Sequence, residues 1–223
     1  MRAFVPTGAL AILAMVGCRT EQTYGGGTGV GNPGSSSVAV APATGATLRS
    51  ATAEVEAVTL SGCDGASELI EVSATMNLLE PDSVAVPQGT WCTVEVHLSG
   101  PMEVIGDGDL GGDFHVLVEV EQIDMDSASG VVVDGDDLVL ELGWPGWLDA
   151  RELDLEAGDS LQVAPGDAIH DGLAERVRTA SAWFYDHNGD GQVDSDERAA
   201  GPAAQGTGSR TPPEETDDDE DDD

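Results

Sequence analysis

The chain has 223 residues and a formal net charge of −35, with 43 acidic residues against eight basic ones, all of them Arg. A surface this acidic makes phosphate backbones and anionic headgroups poor partners, which argues against nucleic acid binding, and the missing Lys removes Schiff-base catalysis and the P-loop. Acid-rich, Lys-free surfaces are also a solubility adaptation to high salt, so the charge alone names no function.

Residues 1–17 read as an export signal. Arg2 supplies a thin positive start, the apolar run from Ala9 to Val16 is too short to span a bilayer, and Arg19, Thr20, Glu21 and Gln22 come directly after it. The ending Met15-Val16-Gly17-Cys18 resembles the bacterial lipobox. That resemblance implies cleavage before Cys18, a lipid on Cys18 that holds the protein to the membrane, and a place in the bacterial cell envelope, with the outer membrane favoured over the inner. A generic secretory signal with an unmodified Cys is the alternative. Residues 18–37, dominated by Gly and Ser with little to bury, read as a flexible tether.

From 38 to 165 the apolar residues alternate, as in Val94, Val96 and Leu98; Phe114, Val116, Val118 and Val120; and Leu138, Leu140 and Leu142. A period of two puts successive side chains on opposite faces, so these stretches are expected to be strands buried on one side. Turn chemistry separates them at Pro87–Gly89, Gly106–Asp113, Asp134–Asp137 and Pro145–Gly146. The pattern predicts a mainly β protein whose body is an antiparallel β-sandwich, loosely similar to the single-sandwich surface lipoproteins of bacteria. Cys63 and Cys92 remain beyond Cys18 in a chain expected to reach an oxidising space. They suit a disulfide, with two separate buried thiols as the alternative.

The most specific stretch is Asp186–Glu197, DHNGDGQVDSDE. Calcium is a hard cation that takes about six to eight oxygen ligands. Asp186, Asn188, Asp190, Asp194 and Glu197 offer side-chain oxygens, Gln192 offers its carbonyl, and Gly191 stands where the loop must turn sharply. The pattern D-x-[DN]-x-[DN]-G-x5-E resembles an EF-hand loop of the calmodulin type. Over about thirty residues the resemblance implies Ca2+ held by those six residues, His187 pointing away from the ion, and Val193 extended where such loops pair with a second one. It also implies a helix on each side. Leu173, Val177, Ala180 and Phe184 recur at helical spacing for the entering helix, with Asp167 or Asp171 as its N-cap. On the exit side only Ser195–Ala200 can be helical before Gly201 and Pro202. Residues 166–200 are thus expected to form a helix and a single EF-hand-type loop, against the plainer reading of a solvated acidic turn. Residues 201–223, ending EETDDDEDDD, are expected to be a disordered acidic tail.

Other constellations are less specific. His97 and His115 are expected on neighbouring strands, with His115 opposite Val104, so the two do not meet. The Gly106–Asp113 and Asp134–Asp137 stretches look like calcium repeats, but Val118 stands where the first needs its closing carboxylate and Leu138 occupies position 5 of the second, and they read as hairpin turns. No G-x-S-x-G elbow occurs. Trp144 and Trp147 are either a sugar-stacking platform or a plug at the end of the core. The sequence therefore points to a non-catalytic, calcium-binding cell-envelope lipoprotein with a structural ion. An adhesion or carbohydrate-binding module with a glycan or protein partner is the alternative, and a dockerin-like tether is disfavoured because dockerins need two such repeats.

Overall fold

The structure, a computed structural model, describes residues 32–144 and 146–207. The export segment, Cys18, the tether as far as residue 31, Pro145 and the acidic run beyond residue 207 lie outside the described residues. The described chain is mainly β. Its strands are β1 (Gly34–Val40), β2 (Ala46–Gly62), β3 (Ser67–Asn77), β4 (Ser83–Val86), β5 (Gly89–Leu98), β6 (Met102–Gly108), β7 (Asp113–Val118), β8 (Gln122–Val133), β9 (Asp137–Leu142), β10 (Ser160–Val163), β11 (Ala182–Tyr185) and β12 (Ala204–Gly206). Two α-helices, α1 (Ala168–Ala180) and α2 (Ser195–Ala200), and a short 3-10 helix at Ala150–Leu153 accompany them among the described residues.

These strands form one continuous sheet in the order β10-β7-β6-β2-β5-β8-β12-β11-β9-β1-β4, with β3 paired to β2. The long β2 organises one side. Its first half pairs with β6 and its second half with β5, and the register slips between Val55 and Ala57. Such a slip bends a strand and lets it turn from one neighbour to the next. The ladder curls until β1 meets β2 again through one residue: Leu78 donates to Ala51 O, and Val40 donates to Leu78 O. Inside the curl, Val38, Leu140 and Trp183 face Val55, Leu60 and Val94 around a residual apolar gap of about 30 Å³.

Several expectations need correction. The sheet is mixed rather than antiparallel, because β1 runs parallel to β9 and β10 parallel to β7. Alternation marks which face is buried but carries no strand direction, so the long chain excursions that permit parallel pairing leave no trace in it. The tether ends earlier than expected: Gly34–Ser37 belong to β1, with Ser36 and Ser37 buried. Asp134–Asp137 is a turn but not a hairpin, since β12 and β11 lie between β8 and β9. The boundary at 165 also disappears, because β11 and β12 are interior strands of the same sheet. The expected tail contributes its first residues as β12, which pairs with β8 and β11.

The alternating residues behave as their period dictates. Val94, Val96, Leu98, Phe114, Val116 and Val118 are buried in one core. Cys63 and Cys92 are joined by a disulfide, with Cα atoms 5.0 Å apart, which ties the end of β2 to β5. The bond spans 29 residues of chain, and restricting that loop in the unfolded state is worth about 3–4 kcal/mol. A Cys63→Ala, Cys92→Ala variant is therefore expected to unfold at a clearly lower urea midpoint with an unchanged native far-ultraviolet spectrum. An unchanged midpoint would show that the bond does not constrain the unfolded chain.

Candidate metal centre

The segment that carries the metal motif starts from α1. Asp167 is its N-cap residue, and its carboxylate accepts from Ala164 N at 2.8 Å. The helix buries Leu173, Ala174 and Val177 but stops at Ala180. The next element is β11, so a strand and not a helix leads into the loop. Ala182-Trp-Phe-Tyr is a compact aromatic run, and β9 offers it a free edge, pairing Trp183 with Leu140 and Phe184 with Val139. The ladder and both buried aromatic rings outweigh the helical spacing of Phe184, a case of tertiary context overriding local pattern. The exit side agrees with expectation, with α2 spanning Ser195–Ala200 and ending at Gly201.

Between them the 186–197 loop is folded on its own side chains. Asp186, buried, accepts from Gly189 N at 2.7 Å and from Gly191 N at 2.8 Å. Gly191 has φ 76°, a conformation that costs other residues strain. Glu197, also buried, accepts from His187 N at 2.7 Å and Asp194 N at 2.9 Å, which joins the loop's two ends. Asp194 caps α2 by accepting from Asp196 N and Glu197 N, and with Glu197 it completes a capping box. The amides of Glu197 and Asp196 hold the Asp194 carboxyl below its ordinary value of 3.8. Asp190 accepts from Gln192 N at 2.9 Å. His187 stacks on Tyr185, with ring centroids 6.2 Å apart.

Asp186 N donates to Asp137 O of β9 at 2.9 Å, and three side-chain contacts fasten the loop further to the sheet. Val193 is buried with Ala39, Val139, Ala182 and Phe184, so it packs on the outer face of β1, β9 and β11. Ser37 Oγ donates to Gly191 O at 3.2 Å. Arg198 of α2 donates to Glu141 Oε1 on β9. Glu141 is 2% exposed, and burial pushes its carboxyl up while the Arg198 guanidinium pulls it down. The sequence reading did not single out Glu141 and missed the pair. The only signal was a lone acid inside Leu138-Val-Leu-Glu-Leu142.

Does this loop suit calcium? The donor set is all oxygen, as a hard cation requires. Asn188 Nδ2 lies 3.2 Å from Asp190 Oδ2 and 3.4 Å from Asp194 Oδ2. Two carboxylates thus converge on one donor with partial positive charge, which is the electrostatic demand a cation would meet. Asn188 Oδ1 accepts from Asp190 N at 2.9 Å and would have to leave that amide to become a ligand. Among the described residues, no three acidic, His or Cys side chains stand in a ready metal-ligating group. The residues fit the ion by chemistry, and the loop as it stands satisfies its carboxylates with backbone amides.

The remaining candidates stand apart. Trp147 is wholly buried and donates its indole N–H to Ala41 O at 3.2 Å, so it presents no face to a sugar. Trp144 is half-buried, edge-on to Phe184 at 5.2 Å. The pair closes the core and forms no platform. His97 and His115 are on β5 and β7, separated by β2 and β6, and His115 pairs with Ile105 rather than Val104. His115 bonds Glu103 at 2.7 Å, whereas His170 is buried and accepts from Glu119 N at 3.0 Å. Compared with known proteins, the chain matches no family model, no curated protein and no solved structure.

Two outcomes are expected. The Asp194 cap operates while its carboxyl is ionised, so its stabilisation is present above the ordinary carboxyl value of 3.8 and fades as pH falls through the lower folded value. An Asp194→Ala variant should therefore melt below the parent at neutral pH and converge with it in acid, measured by thermal unfolding across pH. Arg198→Met leaves Glu141 buried without its partner and should cost about 2–3 kcal/mol, less than for a fully sequestered pair because Arg198 is partly exposed. Adding Glu141→Leu should recover most of that loss in a double-mutant cycle.

Proposed function

We propose that the chain is a calcium-binding, non-catalytic lipoprotein of the bacterial cell envelope, anchored through Cys18, in which the ion is structural. The curled sheet serves as its sandwich-like body. The observation that carries the reading is the twelve-residue loop itself: Asp186, Asn188, Asp190, Asp194 and Glu197 at the motif's spacing, Gly191 in the left-handed conformation at the turn, and the first and last acids joined through His187 N. Side chains of those five residues and the Gln192 carbonyl would hold the ion, which would supply two positive charges to four carboxylates.

The chain's own residues prepare this by bending the loop at Gly191, closing it with Glu197 and docking it with Val193. A structural role suits an exported protein, since extracellular modules bind calcium at about 10⁻⁴ to 10⁻³ M and meet a nearly constant supply. At ten times the dissociation constant, binding adds about 1.4 kcal/mol of stability. The adhesion or carbohydrate reading keeps only Trp144, because Trp147 is buried. Among the described residues no helix is long and apolar enough to cross a membrane, so attachment rests on the lipobox-like ending at Cys18.

Calorimetric titration of calcium tests the reading, performed on a chain ending at Thr211 so that the acidic tail cannot contribute. One ion should bind. Glu197→Gln should weaken it by about tenfold or more through loss of one carboxylate charge and its closure, and His187→Ala should leave it unchanged. No binding, or equal binding by the Gln variant, would refute the assignment. Mass spectrometry of membrane-extracted protein should find a diacylglycerol on Cys18; a soluble product starting elsewhere would refute the anchor.

A further inference from the structure

One acid outside the twelve-residue motif stands against the loop. Asp137 opens β9, and its backbone carbonyl accepts from Asp186 N at 2.9 Å, so it lies across from the residue that begins the loop. Its side chain is held as well: Ser35 Oγ of β1 donates to Asp137 Oδ1 at 2.5 Å. The other carboxylate oxygen, Oδ2, comes within 3.7 Å of the point where a Cβ on Gly189 would sit. Gly189 separates Asn188 from Asp190, two of the residues assigned to the ion. Among the described residues no salt bridge includes Asp137, and Arg198 of α2 is engaged by Glu141. The acid that ends the Asp134–Asp137 turn in sequence thus belongs in space to a loop about fifty residues further on.

We propose that Asp137 is a fifth carboxylate of the calcium centre, one that raises the affinity of the site through its charge. The inference rests on the calcium reading and adds to it a residue that the motif does not contain. Without the ion, the charge of Asp137 repels those of Asp186 and Asp190; a divalent cation turns the same charge into an attraction, so it disfavours the free loop and favours the bound one. Across about 6–10 Å at a partly exposed site, one carboxylate changes the affinity by about twofold to fivefold, and less as salt screens it. The Asp186 backbone bond sets how near Asp137 lies, and Ser35 sets which oxygen faces the loop. The effect therefore belongs to this acid and not to the general charge of −35.

The test is a calorimetric titration of the full chain with calcium, comparing the parent with two variants in which the acidic tail is equally present. Asp137→Asn keeps an oxygen for Ser35 and removes the charge. Glu121→Gln neutralises an exposed acid just before β8, whose other end meets Tyr185 at Val132, next to the loop. At low salt Asp137→Asn should bind calcium about twofold to fivefold more weakly than the parent, and the ratio should fall toward one in about 0.5 M salt. Glu121→Gln should bind as the parent does. The calcium-free Asp137→Asn protein should melt no lower than the calcium-free parent, because it has lost a repulsion and kept the Ser35 bond. A parent that binds no calcium would overturn the calcium reading and this inference with it. A parent that binds, with Asp137→Asn equal to it or Glu121→Gln as weak as Asp137→Asn, would overturn this inference alone. So would a calcium-free Asp137→Asn protein that melts below the parent, which would make Asp137 a structural residue where β1 meets β9.

Discussion

Strand β9 is buried on both faces, and this double burial dictates the arrangement of the C-terminal third. On the inner side Leu138, Leu140 and Leu142 enter the main core, while Val139 and Glu141 on the outer side are just as hidden. A strand in that position needs a neighbour on each edge and a cover on each face. β1 and β11 pair its edges, meeting at Glu141 through Ala39 and Ala182. The cover of the outer face is the 186–197 loop with α2, pinned by Val193 and by Arg198. A charge on the outer face would be costly if left alone, and the guanidinium beside it makes that burial tolerable.

This geometry changes what the metal motif does. In the resembled family such a loop is flanked by helices and leans on a second loop; here a strand enters it and the sheet takes the place of the partner. The hydrogen bonds that Asp186, Asp194 and Glu197 accept from backbone amides already hold the loop's shape. A bound ion would therefore strengthen an existing turn rather than create one, which fits a structural role better than a switch. Because β11 and β12 are interior strands, any stabilisation of the loop reaches the sheet directly.

Much of the strand content was legible, for a simple reason: in β5 and β7 one face is buried and one is not, so period two appears in the residues themselves. The bounds of α2 were legible too, since an acidic N-cap and the Gly201-Pro202 stop are local chemistry. The Cys63–Cys92 bond was legible because one pair was left. What failed depended on distant partners. Phe184 kept helical spacing with Val177 and Ala180, yet the edge of β9 claimed it for a strand. β12 is Ala204-Gln-Gly206, with no pattern to read; it belongs to the sheet through backbone bonds to β8 and β11. The role of Glu141 was not legible because the loop that covers it lies about fifty residues further on. Trp147 is plugged into the core by a carbonyl at Ala41, far away in sequence.

The central claim is that loop, exit helix and β9 are one cooperative unit. Native-state hydrogen exchange tests it most directly. If Val193, Ser37 and the Glu141–Arg198 pair fasten the loop as described, the amides of Gly191, Asp194 and Glu197 should open with the same free energy and denaturant dependence as those of Val139 to Glu141 and Trp183 to Tyr185. Loop amides that exchange through a separate opening of much lower free energy, while β9 and β11 stay protected, would contradict it.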